Sequence, residues 1–476
     1  MSTPNTHFGA ERLSALLDPS KCKKIFFCGV GGVNMSSLAH LALRSGYAVV
    51  GSDRSRSDMT EALARAGAVI HEGHAAHNVD GCDAFVYTVA ISEDNPEYLR
   101  AAELKIPRIS RADFLGYVMT ESPMRIGICG THGKSTCTAM CSAVFSMANA
   151  DPTVMCGSVL SDVKSTFKLG GGDHFIFEAC EYMDSFLDFN PTAAVVLNVE
   201  LDHVDYFNSI EQMVESYAKF VKKTGESGTV IYNADDRTAV ESIRDFGGRR
   251  ISFGIESSDA FFRATDIEST DMGSRFTLLK EGKELARISL SVPGMHNVLN
   301  ALAATAAGYY GGIDINDIVR GLGEYRGTHR RIEYKGRLDG ARIYDDYAHH
   351  PTEITASLGA LRTLMKGEGR LSVVFQSHTY SRTRALEDEF ASALSLADRV
   401  IVTPIFPARE TDTLGVSQYT LAAKIEGGVA AESLESAAEM LACNLSEKDV
   451  AVVMGAGNVD SIFAMLGDRI EKRLED

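Results

Sequence analysis

Residues 124–150 read MRIGICGTHGKSTCTAMCSAVFSMANA: an apolar run too short for a helix, a turn, then apolar residues at helical spacing. A strand that enters a helix through Gly130-Thr131-His132-Gly133-Lys134-Ser135-Thr136 has the layout of a phosphate loop. Backbone N–H groups at such a turn, reinforced by the helix N-terminus, can surround phosphate oxygens. Lys134 adds a mobile cation, and the Ser135 hydroxyl suits Mg²⁺. The loop is a shortened G-x-x-G-K-S/T form, because position 128 is Ile and the first glycine is Gly130. An ordinary strand-to-helix turn is the alternative; the flanking strand and helix favour a nucleotide loop.

Downstream, the apolar strand HFIFEA ends at Glu178, where a phosphate-loop protein is expected to place a metal-binding carboxylate, with Glu181 just beyond. The run AAVVLNVELDHVDYF repeats that layout, an apolar strand followed by Asn198, Glu200, Asp202, His203 and Asp205. Acids flanking a histidine suit a metal or a proton network beside phosphate. The run SVPGMHNVLNALAATAAGYY reads as one long helix, on which Asn297 and Asn300 are unusual choices for a purely structural face.

Upstream, KIFFCGV, GGVNM, SSLAHLALRSG and YAVVGSD read as strand, Gly-rich turn, helix and strand. Gly29-Val30-Gly31-Gly32-Val33-Asn34 resembles G-x-G-x-x-G with Asn34 in the last place, and Asp53 ends the second strand. Taken by itself this turn fits NAD, a nucleotide sugar or no ligand. Beyond the cation-dense hinge YRGTHRRIEYKG, a third strand–helix alternation carries Asp345-Asp346-Tyr347-Ala348-His349-His350-Pro351, then His378, Arg382 and Arg384. RALEDEFASALSLA in this unit reads as one helix. Arg, His and Tyr gathered at strand ends suit a small carboxylate, which Arg grips bidentately. All three units therefore predict parallel sheets covered on both faces.

At 476 residues the chain is long enough for about three domains. Its 45% hydrophobic and 23% charged residues are ordinary globular values. A formal charge of −17 disfavours nucleic acid and anionic membranes as partners. No apolar stretch is long enough to span a bilayer, and the N-terminus lacks the pattern of a secretory signal. Nine cysteines without paired CxxC spacing predict buried thiols in a reducing, cytoplasmic setting.

The phosphate loop, Glu178, the loop with His203, HNVLNALAA, the hinge GTHRR and DDYAHHPTE follow one another in a single order behind GVGGVNMS. In that combination the chain resembles the Mur ligases of peptidoglycan synthesis, from about Lys24 to Asn458. The resemblance implies an α/β fold in three domains: Rossmann-like at 1–122 for the UDP-sugar, P-loop ATPase-like at 123–328 for ATP, and Rossmann-like at 329–476 for the amino acid. Within the family it points to the alanine-adding branch. That implies ATP-dependent joining of L-alanine to the lactyl carboxylate of UDP-N-acetylmuramate through an acyl phosphate, an early cytoplasmic step.

By position, the resemblance puts the UDP-sugar on Gly29, Gly31, Gly32, Asn34, Met35, Ser36 and Asp53. ATP would lie on Gly130, Thr131, His132, Gly133, Lys134, Ser135 and Thr136, with Lys134 on the transferred phosphate. His296 and Asn297 would flank adenine with Asn300 close by, and Arg330 and Asp346 would reach ATP on domain closure. Ser135 and Glu178 would hold one Mg²⁺ and His203 would touch a second metal. Tyr347, His349 and Arg382 would receive alanine, with Arg382 on its carboxylate and His349 a candidate acceptor of the amine proton.

The sequence departs from the family at Asn34, usually glycine, in the middle of EACEYMDSFL, and at Thr379, where some members have another Arg. Lys219, the nearest candidate for the carbamoylated lysine of some relatives, reads as a helix-surface residue. Three rival readings stand beside the ligase. They are a recycling ligase that attaches a preformed peptide, an NAD-dependent oxidoreductase built on the first turn, and a nucleotide-binding regulator without chemistry. Oligomeric state is left open.

Overall fold

Lys24–Cys28 forms the middle strand of a five-stranded parallel sheet. The strand order across it is Val69–Glu72, Ala48–Asp53, Lys24–Cys28, Ala84–Tyr87 and Arg108–Ser110. Alternate side chains enter opposite cores, Ile25 and Phe27 on one face, Phe26 and Cys28 on the other. Burial on both faces is why the strand is continuously apolar. The computed structural model describes residues 8–471, apart from 89, 161–162, 204–205, 271–272, 409, 413 and 444.

The second sheet has ten strands. Met124–Cys129 lies between His174–Glu178 and Ala193–Val196, both parallel to it. The three strands therefore end side by side, and the phosphate loop emerges between the segments carrying Glu178 and His203. The helices Lys134–Met147 and Met295–Tyr310 share one apolar core on one face of the sheet. The long helix begins only at Met295, since Gly294 (φ 98°) stands outside the helical region. Ile210–Lys222 packs into the core on the other face, which is continuous with the first domain.

This sheet is not parallel throughout, as the sequence reading had it. Phe262–Ser269, Ser274–Lys280 and Lys283–Leu290 extend one side in antiparallel pairing, and Ser165–Lys168 pairs antiparallel at the other edge. Glu281 and Gly282 both have positive φ (49° and 75°). That is the backbone a two-residue hairpin connection requires. The outermost strand exposes Lys283, Glu284 and Arg287, charges that discourage further pairing.

The third sheet runs Val429–Ala430, Arg399–Val402, Leu371–Phe375, Val450–Met454, Ala341–Asp346, Glu333–Leu338 and Ile470–Glu471, the last two antiparallel. The segment read as one helix over 384–397 is two, Tyr380–Ala385 and Glu387–Leu394, because Leu386 (φ −122°) leaves the helical region. No helix among the described residues is long and apolar enough to cross a membrane.

The first domain meets the second at Gly116, in the helix Arg111–Val118. A Cβ at this position would lie 2.1 Å from the Asp188 carbonyl oxygen, a backbone atom with little room to move. Gly116→Ala is therefore expected to destabilise the protein by about 1–3 kcal/mol, the usual range for overpacking. Urea unfolding measures it, and an unchanged midpoint would mean that the two domains do not pack this closely in solution.

Candidate active site

The phosphate loop is shaped by two glycines. Gly130 (φ 149°) and Gly133 (φ 83°) adopt backbone that side chains rarely tolerate, and a Cβ would lie 2.9 Å from Leu197 Cβ or 2.7 Å from Asn300 Oδ1 respectively. Asn198 then clamps the loop to the neighbouring strand. Its Oδ1 accepts from the His132 N–H at 2.8 Å and its Nδ2 donates to the His132 carbonyl at 3.1 Å. The Thr131 hydroxyl closes the same seam by donating to the Glu200 carbonyl at 2.9 Å.

Behind the loop, Lys134 Nζ is 3.0 Å from Glu181, whose side chain is fully buried. Burial opposes the ammonium charge, yet Glu181 more than offsets this and the Lys134 pKa lies above its ordinary value. His203 Nε2 approaches the same carboxylate at 3.7 Å, and the Tyr182 ring lies 4.7 Å from the His203 ring. The sequence reading placed more weight on Glu178 than on Glu181. The structure gives Glu181 a central position between the lysine and the histidine.

Ser135 Oγ lies 2.9 Å from Glu178 Oε2, which also accepts from the Gly157 N–H at 2.6 Å. An octahedral ion with bonds of ~2.0–2.1 Å has neighbouring ligands ~2.9 Å apart, so this oxygen pair fits two adjacent Mg²⁺ ligands.

A cleft of about 290 Å³ separates the second and third domains. His132, Gly133, Thr136, His296, Asn297 and Asn300 line one wall; Arg331, Asp346, Thr352 and Glu353 line the other. Asn297 Nδ2 donates to the Pro293 carbonyl at 2.7 Å, and Asn300 Nδ2 reaches Asn297 Oδ1 at 3.4 Å. These bonds account for two buried amides on an otherwise apolar helix. Burial lowers the His296 pKa to about 4 and raises that of Asp346 to about 6.

Arg330, read from the hinge as an ATP contact, does not line this cleft. Its guanidinium is drawn into the third domain, 3.3 Å from Asp345 Oδ1 and 2.6 Å from the Gly455 carbonyl oxygen. Arg331 faces the cleft instead. Adjacent arginines in GTHRR give no sequence signal that distinguishes the two.

Tyr347, His349 and Arg382 come together in the third domain, outside the residues that line this cleft. The His349 ring lies 5.4 Å from Tyr347 and 6.2 Å from His378. Arg382 Nη2 donates to Asp202 Oδ1 at 2.8 Å, joining the third domain to the second. Burial works against ionising Asp202, but Arg382 prevails and holds its pKa below the carboxylate range. Asp205 lies outside the described residues, and Lys219 is exposed.

In the first domain, Asp53 Oδ2 accepts from the Gly31 N–H at 2.8 Å and so braces the Gly-rich turn. Gly29 takes positive φ, Gly32 caps the following helix, and Asn34 is exposed in its first turn. Met35 and Ser36 are buried, Met35 in the apolar core, because the helix turns that side inward. Their side chains therefore face inward, which leaves the Met35 backbone N–H in the first helical turn for any ligand of this loop. The residues that line the interdomain cleft all come from the second and third domains.

Three successive α/β domains, with a phosphate loop where the second opens toward the third, define a class of modular nucleotide-dependent enzyme. The chain belongs to the Mur ligase family. Residues 24–122 match its model "Mur ligase family, catalytic domain", residues 128–308 "Mur ligase middle domain" and residues 330–457 "Mur ligase, glutamate ligase domain". The chain is similar to a UDP-N-acetylmuramate–L-alanine ligase of Acetivibrio thermocellus, at 41% identity over 96% of this chain and 97% of that one. A namesake from Clostridium novyi is 42% identical over 93% and 97%. The crystal structure of UDP-N-acetylmuramate-alanine ligase from Thermotoga maritima superposes with a TM-score of 0.75 at 26% identity, covering 94% and 98%.

His132 stands between two carboxylates, Nε2 at 3.1 Å from Glu200 and Nδ1 at 3.1 Å from Glu353 of the third domain. Burial disfavours its charge, but the two acids overcome this and raise its pKa from 6.5 to about 9. A folded pKa above the unfolded one means that the stabilisation is complete below pH 6.5 and lost as pH rises through about 9. The imidazole resonances that disappear in His132→Gln are expected to titrate near pH 9 by NMR. A midpoint near 6.5 would show that the two carboxylates do not reach the ring in solution.

Proposed function

We propose that the protein joins L-alanine to the lactyl carboxylate of UDP-N-acetylmuramate with consumption of ATP, a cytoplasmic step of peptidoglycan synthesis. The observation that carries this reading is a phosphate loop in the second domain together with a third-domain cluster of Tyr347, His349 and Arg382 that Asp202 ties to the second domain. The alanine-ligase names of relatives about 41% identical over nearly the whole chain support it. The oxidoreductase alternative leaves Gly130–Thr136 and the third domain without a role.

A carboxylate resists attack by an amine because the leaving group would be oxide. Transfer of the ATP γ-phosphoryl group makes an acyl phosphate; the amine then adds to its carbonyl and expels phosphate as the amide forms. Lys134, charged and held by Glu181, stabilises negative charge on the phosphoryl oxygens. Ser135 and Glu178 would hold Mg²⁺, which neutralises phosphate charge when bound; His203 with Glu181 offers a second cation position. Asn297, Asn300 and His296 line the part of the cleft assigned to the base, while Arg331 and Asp346 face it from the third domain.

Arg382, oriented by Asp202, receives the alanine carboxylate. His349 Nδ1 lies 3.0 Å from the Tyr347 carbonyl oxygen, so that nitrogen donates and the Nε2 lone pair is left to take the amine proton. Burial keeps this imidazole neutral, with a pKa of about 4. The first-domain turn braced by Asp53 is assigned to the UDP moiety.

Phosphate release and product mass, followed with UDP-N-acetylmuramate, ATP, Mg²⁺ and a panel of amino acids, test the reading. Alanine-dependent turnover is expected; its absence would remove the proposal. Lys134→Ala should lower kcat by at least about 10²–10³-fold with the fold retained by circular dichroism. Retained turnover would reject the phosphate role of this loop. Arg382→Ala should raise the KM for alanine about 10–100-fold, the loss of a charged hydrogen-bonded contact, and leave that for ATP nearly unchanged. An unaltered alanine response would place the carboxylate elsewhere.

A further inference from the structure

His132, Glu200 and His350 converge where the phosphate loop meets the first turn of the third-domain helix Pro351–Met365. One ligand atom from each lies within 4.8 Å of the other two. His132 Nε2 and Glu200 Oε2 are 3.1 Å apart. That is close to the ~3.3 Å edge of a tetrahedron whose metal–ligand bonds are ~2.0–2.1 Å. The His350 ring lies 4.9 Å from that of His132. His350 is only 3% exposed, and its Nε2 has no hydrogen-bond partner among the described residues. Its Nδ1 accepts from the Thr352 N–H, so the buried Nε2 carries the ring proton with no acceptor among the described residues to take it.

The surrounding contacts also have the order that metal sites require. Glu353 Oε1 lies 3.1 Å from His132 Nδ1, fixing the ring from behind. The Thr352 hydroxyl donates to Glu200 Oε1 at 2.6 Å, which leaves Oε2 directed at His132. A carboxylate behind a histidine ligand, and a hydrogen bond on the far oxygen of a carboxylate ligand, are the usual means of orienting such groups.

We propose that His132, Glu200 and His350 form a site for a divalent transition metal of the zinc class, distinct from the Mg²⁺ position at Ser135 and Glu178. Two imidazoles and one carboxylate favour Zn²⁺ or Co²⁺ over Mg²⁺, a hard ion that prefers oxygen ligands. The ion displaces to solvent the proton between His132 Nε2 and Glu200. A shift of His350 gives up the 3.4 Å bond from the Thr352 N–H, moves the ring proton to Nδ1 and frees Nε2 as third ligand. The fourth position takes water or a phosphate oxygen. His132 and Glu200 belong to the second domain and His350 to the third. The ion thus clamps the two domains together, so Zn²⁺ inhibits turnover in the presence of excess Mg²⁺.

The test is a Co²⁺ titration of the nucleotide-free full-length protein, read by visible absorption and equilibrium dialysis. The strong visible bands of four-coordinate Co²⁺ are expected, displaced by Zn²⁺ and insensitive to excess Mg²⁺. His350 accepts from the Thr352 N–H at 3.4 Å as a helix cap, which asparagine can replace. His350→Asn should therefore fold but lose the bands, and Glu200→Gln should do the same. Glu353→Gln should weaken the ion about 10–100-fold. Cys28→Ser, which alters the separate Cys28–His74–Glu97 cluster, should leave the spectrum unchanged. Bands that vanish with Cys28→Ser, bands that survive in both His350→Asn and Glu200→Gln, or no bands in the parent protein would each overturn the assignment.

Discussion

A phosphate loop must keep its backbone N–H groups turned outward while packed tightly on its inner side, and that constraint falls on Gly130 and Gly133. Both lie against neighbouring atoms closely enough that a methyl group would collide. Asn198, one strand over, then pins the loop through both polar atoms of its amide. The position of the cleft follows, because the loop's neighbours in the sheet are the strands that deliver Glu178 and the Glu200–His203 segment.

The contacts between domains differ in kind. The first and second domains share a continuous apolar cluster, in which Phe114 and Phe186 are both buried. The third meets the phosphate-loop side of the second through polar pairs, Arg382–Asp202, His132–Glu353 and Thr352–Glu200. Hydrogen-bonded charges are directional and exchange with water when a cleft opens, whereas apolar burial resists separation. The cleft beside the phosphate loop is thus bounded by the more separable of the two interfaces.

Buried charge in the site is compensated locally. Lys134 has Glu181, Asp202 has Arg382, and His132 has two acids. Each pairing overcomes the cost of burial for the group concerned and fixes a side chain that would otherwise be long and mobile. At His296 burial prevails, as it does at His349 even with Glu353 Oε2 3.2 Å from its Nδ1, and both are held neutral. The site therefore keeps fixed cations for anionic substrates beside uncharged imidazoles, one of which has a lone pair available.

The strand–turn–helix order, the three-unit alternation and the glycine-shaped turn at Gly130–Gly133 were legible from sequence, because apolar periodicity and glycine placement are local properties. So was the grouping of Tyr347, His349 and Arg382, since strand ends of a parallel sheet converge. Which of Arg330 and Arg331 faces the cleft was not legible, nor were the partnership of Glu181 with Lys134, the inward turn of Met35 and the antiparallel extension of the central sheet. Those depend on where a chain segment lies relative to others distant in sequence. A side chain's direction and its charge partner are set by packing across domains, which residue order alone does not encode.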